Sequence, residues 1–165
     1  MTEREGPMFE LRKIDAAGKP ELYRDLNDQL GGLLAGDPIA NAANTASLVF
    51  HTLPELNWAG FYFLRSPGEL VLGPFHGMPA CVRIAVGRGV CGTAVERRAS
   101  ILVEDVYAFP GHIACDAASR SELVVPRVHD GRVLGVLDLD SPRPGRFDAD
   151  DRAGIEAIAA LYVGC

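Results

Sequence analysis

The sequence predicts an α+β fold, in which an antiparallel sheet is flanked by helices from the two ends of the chain. Helical periodicity before residue 54, two strand–turn–strand patterns, and a helical stripe after residue 147 support this prediction. The chain has 165 residues, of which 48% are hydrophobic, enough for one domain with a real core. We expect residues 1–17 to be a poorly ordered lead-in and residues 18–165 to form this domain.

Two helices in series, or one kinked helix, are predicted in the first third of the chain. Every fourth residue from Leu22 to Leu30 is a leucine, which gives a helical stripe. Asp37 then supplies an N-cap, and Pro38 occupies the first helical position that follows it. Apolar residues continue at helical spacing as far as Leu53, and Pro54 ends the pattern.

Two hairpins are predicted in the sheet. The first pairs residues 58–64, which are rich in aromatic side chains, with residues 69–75 across a Ser-Pro-Gly turn. The second pairs residues 122–128 with residues 132–139 across a His-Asp-Gly turn. Both faces of residues 132–139 are mostly apolar, so we expect this strand to be central and covered on each side.

Shorter elements are predicted between the hairpins: strands over residues 81–86 and 101–103 and a helix over residues 90–97. Residues 105–120 have no regular period and contain a Phe-Pro-Gly sequence, which indicates a long loop. Long loops inside compact domains are usually functional.

The last helix is predicted to follow an N-cap at Asp148. Its apolar stripe contains Ile155, Ile158, Ala159 and Tyr162.

Charge and hydropathy exclude several classes of function. The formal net charge is −6 and there is no basic stripe, so we expect no nucleic-acid partner. No apolar run is long enough to cross a bilayer, and the polar start lacks the apolar core of a signal peptide. We therefore expect a cytoplasmic protein without a membrane partner, in a compartment that keeps thiols reduced.

The four cysteines are the first candidates for chemistry. Cys81, Cys91, Cys115 and Cys165 contain no C-x-x-C pair, so we expect no structural zinc and no other metal. Burial as small hydrophobic residues is one explanation for the first three. Their position favours reactivity, because Cys91 lies at a Gly-rich helix start and Cys115 follows His112 in the long loop. A helix N-terminus or an imidazolium lowers a thiol pKa, so we predict thiol redox chemistry.

Acidic residues are the second set of candidates. Asp138 and Asp140 share one face of the predicted strand, and Glu122 begins a neighbouring strand. Two interpretations remain open: the acids face water at an exposed strand end, or they line a cavity that suits a cationic group. Trp58 has two interpretations as well, a core residue or the wall of a pocket.

Several segments carry a family resemblance: residues 73–77, 80–81, 87–93, 104–106, 109–116, 121–126 and 135–141. Together they resemble the free methionine-(R)-sulfoxide reductases, a family built on the GAF domain. The resemblance extends from about Tyr23 to Tyr162, nearly the whole chain. The run from Phe109 to Asp116, with two cysteines upstream, is its most specific part.

The resemblance implies a thiol mechanism without a cofactor. Cys115 would attack the sulfoxide sulfur of free methionine-(R)-sulfoxide and become a sulfenic acid while methionine leaves. A second thiol would condense with it to a disulfide, which thioredoxin would reduce. Cys81 is the first choice for this resolving thiol and Cys91 the second.

The resemblance also implies roles around the substrate and a homodimer. Glu122, Asp138 and Asp140 would hold the ammonium group and assist proton transfer, and Trp58 would cover the methyl side. Backbone amides of the Ile113-Ala114-Cys115 loop would bind the substrate carboxylate.

Two other functions compete with this one. A non-catalytic GAF sensor for a small ligand shares the fold, and so does a structural domain with buried cysteines. Neither needs three thiols, and this favours the reductase.

Overall fold

The computed structural model describes residues 9–113 and 115–163, and its α+β fold confirms the predicted class. The elements, in chain order, are α1 (Lys19–Gly31), α2 (Pro38–Thr52), β1 (Trp58–Ser66), β2 (Glu69–Gly77), β3 (Arg83–Ala85), α3 (Gly89–Arg97), β4 (Ile101–Val103), a 3-10 helix (Val106–Ala108), β5 (Ser121–His129), β6 (Arg132–Ser141) and α4 (Ala149–Val163).

The strands form one six-stranded antiparallel sheet in the order β3-β2-β1-β6-β5-β4. Both predicted hairpins, β1–β2 and β5–β6, are confirmed. The pairing of β6 with β1 joins the two hairpins, which places both strands at the centre. Backbone hydrogen bonds therefore connect β6 to β1 on one side and to β5 on the other.

Two hydrophobic layers cover the sheet. Helices α1, α2 and α4 pack on one face through residues that include Leu26, Val49, Phe61, Leu137 and Ile155. On the other face α3 packs with residues that include Tyr62, Val90, Val124 and Val136. The prediction that the last strand is covered on both sides is confirmed.

The helix starts are fixed by two aspartates, as predicted. Asp37 Oδ1 accepts hydrogen bonds from the backbone of Ile39 and Ala40, and Asp148 Oδ1 accepts from Asp150 and Asp151. The first third therefore contains two separate helices rather than one kinked helix. Within residues 9–113 and 115–163, no helix is long and apolar enough to cross a membrane.

Two elements differ from the prediction. Only Arg83–Ala85 of the predicted 81–86 strand pairs with β2. The long loop contains the short 3-10 helix, which Asp105 caps by accepting a 3.1 Å hydrogen bond from the Tyr107 amide. Residues 9–18 form no helix or strand. The boundary of the predicted lead-in stays a prediction.

A buried carboxylate ties the first helix to the last. Asp151 on α4 is almost fully buried and accepts hydrogen bonds from Tyr23 Oη at 2.7 Å and Arg146 Nη1 at 3.1 Å. It also accepts from Lys19 Nζ at 2.6 Å and from the Asp148 amide at 2.9 Å. A buried charge with this many donors is compensated, and its removal leaves Arg146 without its ionic partner.

We expect Asp151→Asn to lower the free energy of unfolding by about 3 kcal/mol, because it breaks a buried ion pair. Urea unfolding followed by circular dichroism measures this change. Asp150→Asn is the matched control, since Asp150 is an exposed acid on the same turn and should cost less than about 0.5 kcal/mol. Equal losses in both variants would contradict the proposed importance of the network.

Candidate active site

A narrow cavity of about 40 Å³ lies between the sheet, the start of α3 and the loop that precedes β5. This volume corresponds to a few water molecules. Seven of the predicted site residues line it: Trp58, Cys91, Ile113, Cys115, Glu122, Asp138 and Asp140. Cys81 is covalently joined to this set through Cys115. Ala114 and Cys165 lie outside the described residues.

Strand register brings the acidic residues and the tryptophan together. Asp140 on β6 pairs directly with Trp58 on β1 and with Glu122 on β5. Directly paired residues point to the same face of a sheet, and residues two apart in a strand do so as well. Trp58, Asp140, Glu122 and Asp138 therefore project from three adjacent strands into the space below α3.

Trp58 is both a core residue and a cavity wall. Its ring is buried, stacks on Phe75 with centroids 5.3 Å apart, and donates Nε1–H to the Met78 carbonyl at 3.1 Å. Gly60 makes this packing possible, since a Cβ there would lie 2.8 Å from the Trp58 ring and 2.3 Å from Phe75 Cβ. The two interpretations of Trp58 are thus compatible.

Glu122 and Asp138 are buried, and the half-buried Asp140 lines the same cavity, so the interpretation that the acids face water at an exposed strand end is wrong. Glu122 is 6% exposed and Asp138 is 5% exposed. Burial raises the pKa of Asp138 to about 7. Burial, followed by the charges of neighbouring carboxyl groups, raises the pKa of Glu122 and that of Asp140 well above their ordinary values. At least part of this cluster therefore holds protons near neutral pH.

Asp138 has one occupied and one unoccupied oxygen. Its Oδ2 accepts a 3.3 Å hydrogen bond from the Cys91 thiol. Its Oδ1 is buried and accepts no hydrogen bond from an amide, hydroxyl or cationic group of the described residues. A side-chain hydrogen bond with Glu122, which forms when one of the two carboxyl groups is protonated, also contributes to their pKa values. The Cys91 sulfur and one carboxyl oxygen each from Glu122 and Asp138 lie within 4.8 Å of one another. These three atoms are close enough to share one cation, either a metal ion or an ammonium group.

Cys91 does not have the activated thiol that its position at a helix start predicts. It is fully enclosed, and burial followed by the charge of Asp138 raises the pKa of its thiol well above the ordinary value. Desolvation and nearby carboxylates both disfavour the thiolate, and here they outweigh the effect of the helix N-terminus.

Cys81 and Cys115 are joined by a disulfide, with Cα atoms 5.7 Å apart. Both residues are half-buried, so the disulfide lies at the edge of the cavity and not in its floor. Tyr62 holds one side of it by donating its hydroxyl to the Cys81 carbonyl at 3.0 Å.

The loop that carries Cys115 is anchored on its C-terminal side. Asn57 Nδ2 donates to Asp116 Oδ2 and to Ser119 Oγ, each at 3.1 Å. The Cys115 amide donates to the Ile113 carbonyl at 3.0 Å, so it is not free to bind a ligand in this conformation. One of the amides expected to hold a substrate carboxylate is therefore occupied.

His112 also lines the cavity, but it does not support the predicted imidazolium. Partial burial lowers the pKa of His112 below its usual value, which favours the neutral ring at neutral pH. The expectation that a charged histidine activates Cys115 is therefore not supported by the structure.

Sequence reasoning missed four residues at this site: Tyr62, Asn57, Asp116 and Arg88. The period of two along β1 places Tyr62 on the same face as Trp58 and was a usable signal. Asn57 and Asp116 meet only through tertiary structure, and no local pattern joins them.

Comparison with known proteins agrees with this fold. The family model described as GAF domain matches residues 40–163. The chain is 52% identical to the free methionine-R-sulfoxide reductase of Escherichia coli, over 86% of this chain and 87% of that protein.

Two solved structures are also similar to this chain. One is free methionine-R-sulfoxide reductase from Neisseria meningitidis in complex with its substrate, at 42% identity, a TM-score of 0.90 and 95% coverage of both chains. The other is a protein from Burkholderia vietnamiensis described as a GAF sensor, at 58% identity and a TM-score of 0.86, with 89% of this chain and 94% of that chain covered.

The fold and the matched model define a GAF domain protein. Within that class, the chain belongs to the free methionine-(R)-sulfoxide reductase family and is an enzyme of that kind.

We expect the stability of the wild-type protein to fall as the pH rises from about 4 to about 7. The pKa of Asp138 is about 7 in the folded state against an ordinary value of 3.8, so the folded state binds more protons between these values. Each pH unit in this window costs up to about 1.4 kcal/mol for one such group.

Urea unfolding of the wild type and Asp138→Asn at several pH values tests this expectation. The variant should lose less stability over the window, because it has no carboxyl to ionise there. Asp130→Asn, in the exposed β5–β6 turn, is the control and should keep the wild-type slope. An unchanged slope in Asp138→Asn would contradict the raised pKa.

Proposed function

We propose that this protein reduces free methionine-(R)-sulfoxide to methionine with its own thiols, and that thioredoxin regenerates them. The observation that carries the proposal is the joining of Cys81 to Cys115 at the edge of a cavity that is lined by two buried carboxyl groups, Glu122 and Asp138, and a half-buried one, Asp140. Reduction of a free amino acid sulfoxide needs a pair of thiols that can be oxidised and a group that binds the ammonium. The two cysteines would provide the first and the carboxyl groups the second.

The reaction uses two thiols for each sulfoxide. The Cys115 thiolate attacks the sulfoxide sulfur while a protonated carboxyl group of the cavity gives its proton to the sulfoxide oxygen. The sulfur–oxygen bond then breaks, the hydroxyl group is transferred from the substrate sulfur to the Cys115 sulfur as a sulfenic acid, and methionine leaves. The Cys81 thiol then attacks this sulfenic acid, which releases water and forms the disulfide. Two electrons from thioredoxin convert the disulfide back to two thiols.

The environments of the sulfur atoms support this division of roles. Cys115 lines the cavity, and Cys81 is its partner in the disulfide. Cys91 is a poorer resolving thiol, because its pKa is raised and its thiol is hydrogen-bonded to Asp138. We therefore keep Cys81 as the first choice.

The carboxyl cluster supports recognition of the ammonium group. Asp138 Oδ1 accepts no hydrogen bond from an amide, hydroxyl or cationic group of the described residues, and an ammonium donor there would satisfy it. The positive charge would favour ionisation of one carboxyl, while another remains protonated and can donate to the sulfoxide oxygen. Trp58 would pack against the S-methyl group, since its buried ring forms one wall.

The same cluster explains a preference for the free amino acid. A methionine sulfoxide within a peptide has no ammonium group, so the buried carboxyl groups would be left without a cation. Sites that bind a polar group reject analogues that lack it, because the buried partner is then unpaired.

Three further expectations belong to this proposal. Thioredoxin is the expected reductant because the disulfide is half-buried and a protein dithiol could reach it. The homodimer and the cytoplasmic location follow from the resemblance and the sequence and stay predictions. Sedimentation velocity would measure the first of these two.

A GAF sensor is the competing function, and one related structure carries that description. A sensor would bind its ligand without a change in thiol oxidation. Counting thiols before and after methionine sulfoxide is added separates the two functions, since the reductase should lose about one pair per chain.

We expect Cys115→Ser to abolish reduction of free methionine-(R)-sulfoxide. Cys81→Ser should still form about one methionine per chain in a single turnover, but should lose thioredoxin-dependent cycling because it cannot form the disulfide. Cys91→Ser should keep most of the cycling rate.

A thioredoxin-coupled NADPH assay and quantification of methionine under single-turnover conditions measure these effects. The assay should use resolved R and S epimers of the sulfoxide. Wild-type turnover that survives in Cys115→Ser would refute the assigned nucleophile. Loss of cycling in Cys91→Ser, with normal cycling in Cys81→Ser, would show that Cys91 and not Cys81 is the resolving thiol.

We expect Glu122→Gln and Asp140→Asn to reduce kcat/KM for the free amino acid by roughly 10- to 1000-fold, since both remove a charge-assisted hydrogen bond or a proton donor. Glu104→Gln is the matched control, because Glu104 is an exposed acid beside β4. Steady-state kinetics measure the effect, and wild-type values in both cavity variants would show that the acids take no part in the reaction.

A further inference from the structure

Arg88 lines the cavity and has a side chain without a partner among the described residues. It immediately precedes α3, is exposed, and lines the mouth of the cavity. Its backbone is fixed, because its amide donates to the Ala85 carbonyl and its carbonyl accepts from the Gly92 amide, both at 3.0 Å. Its side chain has no hydrogen bond or ion pair with any part of the chain that the structure describes. Arg88 therefore lines the cavity from a fixed backbone position, and its guanidinium has no partner among the described residues.

Arg88 is also the only fixed positive charge among the described residues that line the cavity. The remaining lining residue that could be cationic is His112, and burial lowers its pKa toward the neutral form. The acids occupy the buried floor, whereas Arg88 is at the exposed mouth. Asp116, at the edge beside Cys115, already accepts hydrogen bonds from Asn57 Nδ2 and the Ala118 amide. The cavity thus has acids in its interior and an arginine at its exposed side, which suits a zwitterion.

The carboxylate of such a zwitterion needs donors near the Cys115 loop. The Cys115 amide already donates to the Ile113 carbonyl, so backbone amides provide fewer donors there than the loop length indicates. The backbone next to Arg88 lies close to this loop, because a Cβ on the following residue, Gly89, would be 3.1 Å from Ile113 Cδ1. A guanidinium binds a carboxylate through two parallel hydrogen bonds, which makes it a stronger and more directional partner than a single amide.

We propose that Arg88 binds the α-carboxylate of the substrate and thereby determines specificity for an amino acid with a free carboxylate. This proposal rests on the function proposed above, since it assigns a residue to a second end of the same substrate. The floor acids would recognise the ammonium group and Arg88 the carboxylate, so each charged group of a free amino acid has its own partner.

The test compares free methionine-(R)-sulfoxide with its carboxamide, which keeps the sulfoxide and the amine but has no negative charge. Both are assayed with dithiothreitol as reductant, so the result does not depend on thioredoxin. Wild type, Arg88→Gln and Arg88→Lys are measured, with Arg97→Gln as the control. Arg97 is an exposed arginine at the other end of the same helix, so this variant makes the same charge change away from the cavity.

We expect Arg88→Gln to lower kcat/KM for the amino acid roughly 10- to 100-fold, the loss typical of a charge-assisted hydrogen bond. The carboxamide should change by less than about twofold, so the wild-type preference for the acid disappears. Arg88→Lys should restore part of the preference, because it keeps the charge but not the two parallel hydrogen bonds. Arg97→Gln should match the wild type.

An equal loss for both substrates in Arg88→Gln would overturn the proposal, because it indicates a general effect on the site. Unchanged kinetics with both substrates would overturn it as well.

Calorimetric binding of methionine and methioninamide gives a readout that does not require turnover. Arg88→Gln should weaken only methionine binding, and equal affinities of the wild type for both ligands would also refute the assignment. If the wild type binds methionine more tightly than the amide but does not reduce the sulfoxide, the proposed reaction fails while Arg88 keeps its carboxylate role.

Discussion

The enclosure of three carboxyl groups in one cavity is the constraint on which the rest of the site depends. Desolvation raises the pKa values of Glu122, Asp138 and Asp140, and the charges of neighbouring carboxyl groups raise those of Glu122 and Asp140 further. The cost is tolerated because the groups lie on the adjacent strands β5 and β6, where neighbouring strands and α3 hold them in place. In the described part of the chain, no lysine or arginine is hydrogen-bonded to them. The site is therefore prepared for a cation that arrives from outside.

This constraint also separates the three described cysteines, which look alike in the sequence. Cys91 shares the floor with the acids, so desolvation and the charge of Asp138 oppose its ionisation. Cys81 and Cys115 are at the half-exposed edge, where a substrate on one side and a reductant on the other can both approach. A thiol's chemistry follows its surroundings more closely than its position in a helix or loop.

The fold could be predicted from the sequence almost completely, because its determinants are local. The Asp37 and Asp148 caps and the two hairpins each depend on neighbouring residues.

The site could be predicted only in part. The alternation of side chains along a strand placed Asp138 and Asp140 on one face of the sheet, but it could not show that α3 covers that face. The same missing information produced the wrong prediction of an activated Cys91 thiol. Asn57 was missed because its partner, Asp116, is 59 residues away in the chain.

The GAF fold by itself does not decide between a sensor and an enzyme, since both need a cavity between a sheet and its covering segments. The difference here is chemical. A sensor gains nothing from burying protonated carboxyl groups next to a sulfur pair, whereas a sulfoxide reductase needs a proton for the departing oxygen where its thiol attacks. The ammonium group of the substrate would ionise part of the cluster as it binds, and would leave a proton on a neighbouring carboxyl. Recognition of a free amino acid and supply of the catalytic proton would then be two consequences of the same buried charges.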